Sequence, residues 1–149
     1  MAEEKIQKRL VDEGFGFPVV LRNVPMVKVR GIWTPRINYN KLARDVVLAL
    51  AKKPTRLTGH EIRFIRQHFE MTLEAFGARF DVSHPAVLKW ERAGDKPPAL
   101  KWPVEKDIRL CILDQLRARP KAFKELYETL REEAEAPSKP LEMDVAQAA

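Results

Sequence analysis

The sequence predicts a mainly α-helical protein: a helix-turn-helix helical domain preceded by a small β-hairpin and one further helix. Three observations predict it. Helix N-cap residues recur at Asn40, Thr58, Thr72 and Ser83, each followed by apolar residues at helical spacing. The helices starting at Thr72 and Ser83 are short and joined only through Asp81-Val82-Ser83, as a helix-turn-helix requires. Strand texture is confined to Val19-Val20-Leu21 and Met26-Val27-Lys28-Val29.

In chain order, residues 3–13 suit a short helix, with Ile6 and Leu10 on one side and Gly14 as its stop. The two β-branched runs follow as a hairpin, separated by Asn23-Val24-Pro25 and closed by Gly31 and Pro35. Asn40 caps a helix on which Leu42, Val46 and Leu50 recur every four residues, ended by Lys52-Lys53-Pro54. Thr58-Gly59-His60-Glu61 is a capping box, and Leu57 with Ile62 a hydrophobic staple. Ile62, Ile65 and Phe69 make the buried stripe of that helix. Leu73, Phe76 and Phe80 form the apolar face of the next, and Asp81 suits a left-handed turn position. Ser83 caps a helix running to about Arg92, with Gly94 as its stop. A fourth helix of the domain begins near Pro103, and a fifth, 120–134, carries Phe123, Leu126, Tyr127 and Leu130. The organisation expected is a basic N-terminal segment (1–56), the helix-turn-helix domain with its C-terminal helices (57–134), and a disordered tail (135–149).

Composition narrows the function. The 149 residues hold 27 Lys or Arg against 21 Asp or Glu, a net charge of +6, with a pI near 9.6. Residues 1–56 carry twelve of those cations against five acids, so a polyanion is the first partner to weigh. That basic segment reads equally as a solvated face. One cysteine, Cys111, excludes an internal disulfide and a cysteine-cluster zinc site. No apolar run is long enough to span a bilayer. The expectation is a soluble, cytoplasmic, nucleoid-associated protein.

With Val87 and Trp90 facing the core, helical spacing turns His84, Pro85, Leu88, Lys89 and Arg92 outward. His84 and Lys89 suit base-edge acceptors, while Pro85 and Leu88 suit thymine methyl groups. The amides after Thr72 and Ser83, through Ala86, suit phosphates. The DNA-binding set expected is therefore Thr72, Ser83, His84, Pro85, Ala86, Leu88, Lys89 and Arg92.

The run Thr72-Leu73-Glu74-Ala75-Phe76-Gly77-Ala78-Arg79-Phe80-Asp81-Val82-Ser83, then Ala86-Val87-Leu88-Lys89-Trp90-Glu91-Arg92, resembles the XRE (Cro/cI-like) helix-turn-helix class. Upstream, Asn23-Val24-Pro25 and Leu57-Thr58-Gly59-His60-Glu61-Ile62-Arg63 are similar to the MqsA (YgiT-type) antitoxin family. Together the match covers roughly residues 18–115. The resemblance implies a homodimeric DNA-binding repressor of its own operon, acting on a palindromic operator, whose N-terminal part neutralises a toxin protein. Two departures stand out. The family's zinc-binding Cys-x-x-Cys positions read Val29-Arg30-Gly31-Ile32-Trp33 here, so the resemblance is to a zinc-less variant. Pro85 and Lys89 stand where some members read DNA with Asn and Arg, which implies a different operator.

Plainer readings stand beside these. Cys111 lies on an apolar stripe as a small core residue. His60 and His68 lack a third ligand nearby, so neither metal nor cofactor is expected. Phe64, Phe69, Phe76, Phe80 and Trp90 read as core. No carboxylate cluster or nucleophile with a base supports an enzyme. The functional expectation is a sequence-specific transcriptional regulator, antitoxin-like. The alternatives are a regulator without a toxin and a protein-interaction module on the same scaffold.

Overall fold

The computed structural model describes residues 3–116, 120–130 and 140–145. The chain divides into two units, one formed by Met1–Val46 with Pro140–Ala149, the other by Val47–Lys139.

In the first unit, strands β1 (Glu4–Asp12), β2 (Val19–Val29), β3 (Ile32–Pro35) and β4 (Leu141–Asp144) form one mixed sheet. β1 runs antiparallel along the whole of β2, from Glu4 opposite Val27 to Asp12 opposite Val19. The other side of β2 is shared. Met26–Val29 pairs antiparallel with β3, and Val19–Arg22 pairs parallel with β4. Asn23 and Pro25 lie at the seam between those two partners. Asn23 takes a left-handed backbone (φ 56°) and donates from Nδ2 to Asp144 Oδ2 at 2.8 Å. Pro25 has no N–H to give a ladder, and the register pairs it with neither β3 nor β4. Arg30 and Gly31, both left-handed, turn β2 into β3, the backbone of a type I′ hairpin.

Helix α1 (Tyr39–Ala51) follows, and the division between the units falls inside it. Its first turn is held by Asn38, whose Oδ1 accepts from the Lys41 amide at 3.2 Å. The second unit continues with α2 (Gly59–His68), α3 (Leu73–Arg79), α4 (His84–Glu91), α5 (Trp102–Gln115) and α6 (Pro120–Thr129). Leu57, Ile62, Ile65, Phe76, Val87, Ile108 and Ile112 are buried in its core.

Several expectations need correction. The chain is α/β: among the described residues six helices accompany a four-stranded mixed sheet, so the mainly α class with a small hairpin does not hold. Within residues 3–13, Glu4–Asp12 form a strand, not a helix. Ile6 and Leu10 are four apart, a spacing that keeps one face in either period, and β2 supplies the pairing edge. Asn23-Val24-Pro25 is not a turn, because β2 runs through it. Asn38, not Asn40, caps α1. Of the tail expected to be disordered, Leu141–Asp144 is strand β4 and Val145 is buried. Residues 135–139 and 146–149 of that tail lie outside the described residues, as does the 131–134 end of the helix expected at 120–134.

Candidate nucleic-acid interface

Helices α3 and α4 are set by local chemistry. Thr72 caps α3, its Oγ1 accepting from the Ala75 amide at 3.0 Å. Ser83 caps α4, its Oγ accepting from the Ala86 amide at 3.3 Å, and Pro85 sits in the first turn where its missing N–H costs nothing. Each hydroxyl keeps its own hydrogen to donate. Between the helices Asp81 is left-handed (φ 57°), and the Val82 amide donates to Gly77 O at 2.9 Å. A Cβ on Gly77 would lie 2.6 Å from the Val82 carbonyl oxygen, so only glycine permits this close return.

One side of the pair is core. Phe76 and Phe80 meet edge to face with centroids 4.9 Å apart, and Val87 and Trp90 are buried. Glu91, also buried, anchors the end of α4 to α2: Arg66 donates from Nε to Oε2 at 2.7 Å and from Nη2 to Oε1 at 2.9 Å. The hydrogen bond to Glu91 holds the Arg66 guanidinium above its ordinary pKa, against the opposing effect of burial. Such a bidentate pair fixes orientation as well as energy.

The other side is polar and accessible. Of the residues expected to touch DNA, Thr72, Ser83, His84, Pro85, Lys89 and Arg92 are exposed, while Ala86 and Leu88 are half-buried. His84, Pro85, Lys89 and Arg92 therefore form one exposed row along α4, with the half-buried Leu88 among them. Sequence reasoning left further exposed cations of this unit out of that set, among them Arg63 on α2 and Lys96 in the loop after α4. That loop is fixed on α2, with the Gly59 amide donating to Lys96 O (3.1 Å) and the His60 amide to Gly94 O (3.0 Å). Helical spacing alone marks Arg63 as outward; Lys96 has no comparable signal, because its position depends on those two bonds.

The sheet unit shows a different surface. Pro25, Val27 and Val29 share one face of β2, and the register adds Ile6 and Ile32 to it. Ile6, Val29 and Ile32 are 67%, 50% and 68% exposed. On the opposite face Lys5 Nζ stands 4.3 Å above the Trp33 ring and Lys28 Nζ 5.8 Å from it.

His60 Nδ1 lies 3.0 Å from Asp95 Oδ1, and Cys111 is half-buried, its thiol pKa raised chiefly by desolvation. Among the described residues, no group of three or more His, Cys, Asp or Glu is placed to hold a metal ion. No helix among them is long and apolar enough to cross a membrane. No protein-family model, curated protein or solved structure matches the chain.

Proposed function

We propose that this chain is a sequence-specific DNA-binding transcriptional regulator, an antitoxin-like autorepressor with no enzymatic role, acting as a homodimer on a palindromic operator. The observation that carries the reading is the two-sidedness of α4. Val87, Trp90 and Glu91 are buried, while His84, Pro85, Lys89 and Arg92 stand exposed along one row. A helix held by its back and open along its front is what entry into a major groove requires. His84 and Lys89 supply donors to base-edge acceptors, and Lys89 suits guanine. Thr72 and Ser83 supply hydroxyl donors, and Arg92 a cation, for the phosphates on either side. The resemblance of residues 72–92 to the XRE class supports the same assignment.

The test is selection of a duplex from a random pool, followed by fluorescence anisotropy with Lys89→Ala. Loss of a base contact is expected to cost roughly 1–3 kcal/mol and to relax preference at one base pair. Loss of a phosphate contact would instead weaken all sequences alike and lower the salt slope by about one. Unchanged affinity and salt dependence in a folded variant would remove α4 as the reader.

The antitoxin half of the reading draws on the sheet unit, where Ile6, Val29 and Ile32 make an exposed apolar face suited to a protein partner. Co-expression with the product of an adjoining gene tests it. A toxin partner should be retained by the parent and released by Ile32→Lys; retention by both removes the sheet face from the reading.

A further inference from the structure

We infer that α6 is the seam at which two copies of this chain associate, packed antiparallel about a two-fold axis. The inference rests on the homodimeric reading above and names the surface that serves it.

Two independent features of α6 point to a second copy. The first is its apolar row. Leu126 and Leu130 are buried, yet Phe123 and Tyr127 are 39% and 56% exposed. Their rings stack on one another, with centroids 6.5 Å apart and planes at 9°, and Lys106 Nζ lies 4.8 Å from the Tyr127 ring. This is an ordered aromatic patch on a helix face rather than a pair of loose side chains.

The second feature is the order of charges. Lys121 and Lys124 occupy the first half of α6, and Glu125 and Glu128 the second; all four are exposed. That order opposes the helix dipole, which favours acids near the N-terminus and bases near the C-terminus. The ion pair of Lys121 with Glu125 along the helix, at 3.9 Å, is open to solvent and does little to offset it. An antiparallel copy does offset it. Packing about the Phe123–Tyr127 midpoint lays each aromatic pair against the other and brings Lys124 within reach of Glu128 of the partner subunit. Symmetry repeats the contact in reverse. A wholly acidic or wholly basic partner would satisfy one half of the helix and repel the other.

A ten-residue helix is about 15 Å long, so the seam alone buries an area at the low end for specific association. The free chain should accordingly dimerise weakly and gain from a duplex that holds two half-sites together.

Sedimentation equilibrium of the full chain tests the seam with Lys124→Glu, Glu128→Lys and the double variant, each checked for helix content by circular dichroism. Both single changes set like charges face to face twice over and should weaken self-association roughly tenfold. The double change restores complementarity and should recover it. Singles that associate like the parent, or a double no better than the singles, would overturn the seam. So would a parent that stays monomeric throughout. Anisotropy on a duplex with one half-site separates the two readings. A chain that dimerises as described but ignores every duplex keeps the seam and loses the regulator. A chain that binds DNA but dimerises independently of Lys124 and Glu128 loses only the seam.

Discussion

Glu105 and Arg109, both about 1% exposed, carry opposite charges in the core of the helical unit. Glu105 Oε1 accepts from Arg56 Nε at 2.7 Å, and Oε2 accepts from Arg109 Nη2 at 2.8 Å and from the Leu57 amide at 3.3 Å. Arg109 then donates to the carbonyls of Lys53 and Thr55. Burial lowers the Arg109 pKa, and the neighbouring Glu105 charge pulls it back up. The group is satisfied only as a set, and it ties the connection between α1 and α2 onto α5. Removing one member of a buried pair leaves the other charge unanswered. Glu105→Gln should therefore cost about 3–5 kcal/mol in urea unfolding; a loss under about 1 kcal/mol, the scale of an exposed pair, would contradict this account. Cys111 offers a milder test. Its thiol pKa is raised, chiefly by desolvation, with Arg79 pulling it down. At pH 8 less of it is thiolate than in a free cysteine, and the thiolate is the nucleophile. Alkylation by iodoacetamide should be slower in the folded protein than after denaturation, and equal rates would sink the assignment.

Among the elements, β2 depends most on one residue. Its fully buried positions are Val19 and Leu21 before Asn23 and Val24 after it, so the parity of the buried row changes across the left-handed residue. Asparagine tolerates that conformation better than any residue with an apolar side chain. Asn23→Ala should lose both the tolerance and the bond to Asp144, about 2 kcal/mol or more by thermal or urea unfolding. Asn23→Gly loses the bond but keeps the backbone, and should cost less; the reverse order would refute the role given to φ. The starts of α2, α3 and α4 were legible in the sequence because their caps, Thr58, Thr72 and Ser83, act locally. Thr58 and Glu61 meet across three residues, with the Thr58 amide donating to Glu61 Oε1 at 2.8 Å and the Glu61 amide to Thr58 Oγ1 at 3.2 Å. The outward row of α4 was legible for the same reason, since helical spacing alone separates Lys89 from Val87 and Trp90. Leu88 lies within that stripe by spacing, yet is half-buried. The strands were legible only in part: the runs Val19–Leu21 and Met26–Val29 read as strand, but as two strands of a hairpin and not as the single strand β2. Ile6 and Leu10 fit either period, Pro25 reads as a breaker unless its seam position is known, and the exposed face of Ile6, Val29 and Ile32 exists only once the register is fixed.

At the scale of the whole chain, the sheet unit is discontinuous in sequence, and this hid β4 most completely. The bond from Asn23 to Asp144 spans 121 residues, far beyond any local pattern, and Leu141-Glu142-Met143-Asp144 alternates for only four residues with no β-branched or aromatic side chain to mark it as a strand alone. What makes it one is the stretch Val19–Arg22 of β2, which β3 leaves unpaired. An open parallel edge of apolar residues is a template for pairing with other chains, and the chain closes it with its own C-terminal segment. Val145, immediately after β4, adds a buried side chain to the same unit. Ending the chain at residue 139 should therefore reopen that edge. Hydrogen exchange at those amides of Val19–Arg22 that face β4 and not β1 should speed up in the truncated protein, because exchange reports local opening of the pairing that protects them. Amides of α2 and α5, which belong to the other unit, serve as the internal reference for global stability. A uniform rise across both sets would mean that the truncation merely destabilises the protein. Unchanged protection at the β4-facing amides of Val19–Arg22 would mean that β4 does not hold that edge. A rise confined to β2 is the expected result, and aggregation of the truncated chain at high concentration should accompany it.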